Sequence, residues 1–263
     1  MAFVERDFLI AASYRTAIAA DTLGIIFKVI TFYYIGAVLG QGIAPSLARY
    51  GHDYFAFLMI GIALLDFVHT SFDTFTTSVR DNQMTGTLEA VLLSPMRLPE
   101  MIIYSSLWSY MFTALRFATY ILVGCVLFGL KIALVGIPPA FVVLLLTILC
   151  FAPLGIISAA VIMTFKKGTW FQMTINGLGV LLGGVIYPVE VLPGWASAIS
   201  YYLPLTHAVN AMRATLLNGN GLLALRTELF FMTAFAAVML PLALWIFDLG
   251  VRRTKQLGTL THY

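Results

Sequence analysis

Residues 137–165 read IPPAFVVLLLTILCFAPLGIISAAVIMTF, an unbroken apolar run without one charged side chain. A bilayer core about 30 Å thick is crossed by roughly 20 apolar residues in a helix. This run is therefore a transmembrane span with length left over for tilt. Outward along the chain, comparable runs lie near 22–40, 54–76, 101–130, 169–187 and 228–250. The run at 169–187 is the weakest, because Gly177, Gly179, Gly183 and Gly184 lower its helix propensity. The expected fold is all-α: a polytopic membrane protein of six transmembrane helices, forming one domain over residues 1–263.

Composition points the same way. The chain is 60% hydrophobic and 10% charged, against about 45–50% and about 25% in a soluble domain. So few charges cannot cover a water-facing surface, and six spans leave no room for a separate soluble catalytic domain. No basic stripe is present, which argues against a nucleic-acid partner. Cys125 and Cys150 fall inside apolar runs and read as small hydrophobes, neither a disulfide framework nor a metal site. No His, Cys and Asp cluster has metal-ligand spacing, so no metal or cofactor is expected in this chain. The opening Met-Ala-Phe-Val-Glu-Arg-Asp lacks the basic start, apolar run and cleavage site of a signal peptide, so the first span is expected to be retained.

Basic residues in the loops orient the spans. With the N-terminus inside, the cytoplasmic set is Arg6, Arg15, Arg80, Arg97, Lys166, Lys167, Arg252, Arg253 and Lys255. The outer set is Arg49, Lys131, Arg213 and Arg226, while Lys28 and Arg116 fall inside spans. The asymmetry places the chain in the cell membrane with both termini cytoplasmic. Ahead of the first span, Phe3, Val4, Phe8, Leu9, Ala12 and Ile18 recur at roughly helical spacing among Glu5, Arg6, Asp7 and Arg15. That pattern suits an interfacial amphipathic helix over residues 1–20.

The cytoplasmic loop 78–99 carries a short helix that Thr85 or Thr87 can cap, with Leu88, Val91 and Leu92 on its apolar face. Ser94-Pro95 ends it, since a residue before proline is pushed out of helical geometry. A second distinctive stretch runs Tyr187-Pro-Val-Glu-Val-Leu-Pro-Gly-Trp-Ala-Ser-Ala-Ile-Ser-Tyr-Tyr-Leu-Pro-Leu-Thr-His207. Pro188, Pro193 and Pro204 forbid one continuous helix there. Trp195, Tyr201 and Tyr202 suit the headgroup interface.

The string Gly86-Thr-Leu-Glu-Ala-Val-Leu-Leu-Ser-Pro95 resembles the coupling segment of type-2 ATP-binding-cassette (ABC) permeases. The Pro-x-x-x-Leu-Pro, Trp and Leu-Pro-Leu-Thr pattern of the second stretch is similar to the same family's signature. The two strings stand in the family's order, with the family's number of spans between them. The resemblance implies an exporter permease whose Thr87, Leu88, Glu89, Val91 and Leu92 contact an ATPase subunit, present in two copies. A second permease copy or a related permease would complete the membrane part. Residues 188–226 would form short helices dipping into the outer leaflet. The implied cargo is an amphiphile: a lipid-linked glycan or polysaccharide, a drug or a lipid. No G-x-x-x-x-G-K-[ST] loop occurs in the chain, so ATP and Mg would sit on the partner and the chain itself would be no enzyme.

Asp66, His69 and Asp73 stand at i, i+3 and i+7 and share one face of the second span. Ionisable groups at that depth face a bundle interior, a cavity or a partner charge. They read either as a polar seam paired with Lys28 or Arg116, or as the relay of a proton-coupled secondary transporter. The latter is the rival function, and it would call for paired broken helices in internal repeats. An intramembrane hydrolase would need a nucleophile and base; neither Gly-x-Ser-x-Gly nor His-Glu-x-x-His is present. Along a substrate path the candidates are Tyr33, Tyr54, Asp66, His69, Glu190 and His207; the aromatic ones also suit an ordinary interfacial belt beside membrane lipid.

Overall fold

The computed structural model describes residues 15–43, 53–84, 98–165 and 169–257. Eight helices follow in order: α1 (Arg15–Ile43), α2 (Tyr54–Met84), α3 (Leu98–Phe128), α4 (Ile137–Phe165), α5 (Thr169–Leu182), α6 (Gly194–Ser200), α7 (Pro204–Leu216) and α8 (Arg226–Leu257). Short 3-10 turns occupy Leu134–Gly136, Val189–Val191 and Leu222–Leu225. Among the described residues there is no strand. Five helices, α1 to α4 and α8, are long and apolar enough to cross a membrane.

Of the expected span at 169–187, helix α5 takes Thr169–Leu182 and a bend takes the rest. Helix α5 has 14 residues, about 21 Å at 1.5 Å per residue, less than the ~30 Å core. Its end follows from the glycines and the proline after it. Gly184 has φ +68, a left-handed conformation that other residues adopt at a cost. Pro188 then prevents a new helix from continuing the old axis.

Residues 15–20 are the first turns of α1, continuous with the span. The rest of the interfacial segment, residues 1–14, lies outside the described residues, as does the loop 85–97 that holds Thr87, Leu88, Glu89, Val91 and Leu92. Helix α2 runs to Met84 and α3 starts at Leu98, so both extend past their apolar runs toward that loop.

Helix α2 is the central post. Its apolar window is 76% buried, against 17% for those of α1 and α8, and it packs against α1, α3, α4 and α7. Lipid tails are as apolar as leucine, so van der Waals packing and interhelical polar bonds hold such a bundle together. Phe57, Leu58, Met59, Leu64, Phe67 and Phe72 of α2 are essentially inaccessible. Helix α4 lies along α8, where Gly250 approaches Ala160 and Met163 closely. Cys150 Sγ of α4 donates to the Met232 carbonyl of α8 at 3.2 Å, and Thr76 meets Ser158 at 3.3 Å. Several threonine hydroxyls in the spans are satisfied on their own helices, as with Thr147 to Val143 O and Thr74 to Thr70 O. Lipid offers them no partner.

Candidate functional site

A helix that stops inside a bundle leaves its last carbonyls without partners. Helix α5 stops in this way, and the bend after it exposes the carbonyls of Gly184, Val185 and Ile186. Two side chains from other elements take all three. Arg213 of α7 donates to Gly184 O through Nη1 at 2.7 Å and to Val185 O through Nη2 at 2.7 Å. Tyr54, at the first turn of α2, donates its hydroxyl to Ile186 O at 3.0 Å. Arg213 also donates to Phe57 O of α2 through Nε at 3.1 Å and Nη2 at 3.0 Å. The guanidinium carbon lies 3.3 Å from the centroid of the Phe57 ring. One planar fork thus binds α2, α7 and the end of α5, a task that needs several donors in fixed geometry.

Room for the fork comes from Gly61. A Cβ there would lie 2.5 Å from Arg213 Nη2 and 2.6 Å from Val185 O. Arg213 is 1% exposed, which corrects its expected place among the exposed outer loop charges. The sequence does hold a signal for this. In the amphipathic α7, Val209, Met212 and Leu216 surround Arg213 at i−4, i−1 and i+3, so it sits on the apolar face.

The charges of the second span form a network with both neighbouring helices. Lys28 Nζ of α1 donates to Asp66 Oδ1 of α2 at 2.9 Å. Arg116 Nη2 of α3 lies 3.0 Å from Asp66 Oδ2, and its Nη1 lies 3.2 Å from Asp21 Oδ1 of α1. Two acids and two bases alternate, and Asp66 joins all three helices. Lys28 Nζ also sits 5.8 Å from the centroid of the Tyr120 ring. Beside this network the buried atoms His69 Nε2, Arg116 Nε and Tyr120 Oη have no hydrogen-bond partner among the described residues. Asp73, one turn beyond His69, is exposed.

The remaining candidates are distributed and do not converge. Tyr33 packs its ring 4.3 Å from that of Phe128 and 5.3 Å from that of Phe55. His207 stacks on Phe231 of α8 at 4.1 Å, and its Nε2 donates to Tyr201 O at 2.9 Å. Glu190 is exposed in the 3-10 turn before α6. Trp195, Tyr201 and Tyr202 are exposed around α6, as rings at a headgroup interface would be. An apolar recess of about 190 Å³ lies between Leu65, Phe151, Ile175, Leu205 and Phe235. Among the described residues no three His, Cys, Asp or Glu side chains are grouped to hold a metal.

The chain is 26% identical over 225 residues to Nodulation protein J of Rhizobium leguminosarum bv. viciae, covering 82% of each protein. It is 27% identical over 182 residues to Nodulation protein J of Rhizobium leguminosarum bv. trifolii, covering 68% of each. The corresponding protein of Rhizobium meliloti (strain 1021) is 26% identical over 181 residues. The family described as ABC-2 type transporter matches residues 2–217, a stretch that takes in the loop at 85–97, the Asp66 network and the Arg213 staple. With its long apolar helices, the broken α5 and the short helices α6 and α7 matched over that range, the chain belongs to the ABC-2 type transporter family.

Proposed function

We propose that this chain is the membrane-spanning subunit of an ATP-driven exporter that moves an amphiphile out of the cytoplasm. The observation that carries the reading is the family match over residues 2–217 in a chain without a phosphate-cradling loop. ATP and Mg then belong to a separate ATPase subunit, two copies of which serve two permeases. Residues 85–97 connect α2 and α3, so force applied at Leu88, Glu89 and Leu92 acts on α2, the most buried post of the bundle. The exposed faces of α1 and α8 are covered by lipid or by the second permease. With Arg213 buried, the basic asymmetry sharpens, which supports a cytoplasmic loop 78–99 and cytoplasmic termini.

The proton-driven alternative draws no support from Asp66, whose two oxygens face Lys28 and Arg116. Of the residues proposed for a substrate path, Tyr33, Tyr54, Asp66 and His207 each hold another part of the fold. We assign them to framing the path, with Glu190 at its outer mouth and His69 beside the ionic network.

The test is transport of candidate amphiphiles in inside-out vesicles. Flux should need ATP and persist when an uncoupler collapses the proton gradient. Flux that dies with the gradient while ATP is normal would favour the secondary transporter.

A further inference from the structure

Helices packed through methyl groups alone can slide past one another, because such contacts have no direction. A hydrogen bond in a low-dielectric interior is directional and costly to break. Segments pinned by such bonds therefore move together. Arg213 and Tyr54 pin two bodies in this way.

The first body is α2. Its 31 residues contain no proline and make a rod about 46 Å long at 1.5 Å per residue. Helices α4 and α8, by contrast, carry Pro153 and Pro241 in their interiors. Tyr54, Phe57 and Gly61 stand at i, i+3 and i+7, so they share one face of the rod. On that face Tyr54 donates to Ile186 O, Phe57 O accepts twice from Arg213, and Gly61 lets Val185 O come close.

The second body is α5 with the bend behind it and α6 beyond. Gly179 and Gly183 leave room for Leu205 of α7 against the last turns of α5. Helix α6 follows the bend and is thinly packed, mainly on α5 and the 3-10 turn Val189–Val191. Leu178 and Leu181 of α5 are exposed, as are Trp195 and Ile199 of α6. A body held so lightly follows whatever grips its middle. The grip is on the carbonyls of residues 184–186.

We propose that Arg213 and Tyr54 are positioning residues of the transport cycle, which carry a displacement of α2 to the bend at 184–186 and so to α6. The proposal rests on the exporter reading for the ATPase that moves α2. It adds that α6 is the element that answers, and that the answer passes through these two side chains.

The test uses the complex purified with its ATPase and placed in lipid nanodiscs. Single cysteines replace Thr77, exposed toward the other end of α2, or Ile199, exposed on α6. The background lacks Cys125 and Cys150, and each new thiol carries a bimane fluorophore. Trapping with ATP and vanadate should shift the emission at both positions when Arg213 and Tyr54 are intact. In Tyr54→Phe the shift at position 199 should weaken, and in Arg213→Lys it should be lost. The shift at position 77 and the ATPase activity per folded complex should persist in both variants. Ile156→Ala opens a cavity in α4 within a separate buried cluster; it should lower thermal stability and keep both shifts. Should Arg213→Lys fail to fold, Tyr54→Phe, which removes one hydroxyl and keeps the ring, decides alone. An unchanged shift at position 199 in the folded variants, or its loss in Ile156→Ala as well, would overturn the proposal. An intact joint with a working ATPase and a silent probe at position 199 would also overturn it, yet leave the exporter reading standing. A purified complex with no ATPase would end both.

Discussion

Gly61 of α2 exists beside Arg213 of α7 only because it lacks a side chain: a methyl there would lie 2.5 Å from the guanidinium Nη2. A real Cβ does not approach that closely, and the nearby Val185 carbonyl at 2.6 Å is backbone and cannot swing aside. Gly61→Ala should therefore displace the fork from its carbonyls. In an open helix interior the same change stabilises by about 0.5–1 kcal/mol. The measurement is retention of monodisperse protein after heating in detergent. Gly61→Ala should lower the midpoint, and Gly177→Ala, with open space around its Cβ, should not.

Arg213 itself should not accept substitution by lysine. An ammonium is a point donor on a flexible stem and cannot span Phe57, Gly184 and Val185 as the fork does. Each buried carbonyl left without a partner costs about 1–3 kcal/mol. Arg213→Lys should lose a large part of the thermal stability, and Arg213→Met still more, in the same heating measurement. Equal melting of Arg213→Lys and wild type would show that charge alone suffices.

The Asp66 network predicts compensation. Asp66→Asn leaves Lys28 and Arg116 facing an amide, and Lys28→Met leaves Asp66 with Arg116 alone. The double variant removes a charge of each sign, so its stability should exceed the sum expected from the singles. A coupling of about 0.5–3 kcal/mol is usual within one network. Transport per folded molecule should stay largely intact in Asp66→Asn. Additive losses would mean that the ion pair at 2.9 Å does not couple α1 to α2.

How far the sequence reached follows from what each feature depends on. Residues 137–165 declared a span because length and apolarity are local properties, and α4 covers Ile137–Phe165. The run at 169–187 also read as a span, though Gln172, Asn176 and four glycines make it less apolar; where its helix ends is decided by backbone conformation at Gly184, which hydropathy does not weigh. Asp66 announced a polar seam through its i, i+3, i+7 spacing with His69 and Asp73. Its partners come from residues 28 and 116, and only the packing of three helices selects them. Arg213 read as a loop charge because prolines and aromatics precede it. Its acceptors lie 156, 29 and 28 residues away in sequence, and no local pattern reports such a convergence.

Topology is checked by labelling. Single cysteines at Gln83 and Asn218, in a background without Cys125 and Cys150, are exposed to an impermeant thiol reagent on intact cells. Asn218 stands exposed beyond α7 and should react, while Gln83 should react only after the membrane is opened. The opposite pattern would invert the orientation.

The most direct measurement is the ATPase activity that stays with the chain when it is purified from its own membranes in mild detergent. The account predicts a co-purifying, vanadate-sensitive ATPase. Leu88→Asp and Leu92→Asp should reduce the ATPase retained per folded permease by about ten- to a hundredfold, since burying one leucine is worth about 1.5–3 kcal/mol and ~1.4 kcal/mol is tenfold. Leu64→Ala, buried in α2, should lower thermal stability more than partner retention. An absent ATPase, or full retention and coupling in both loop variants, would contradict the account.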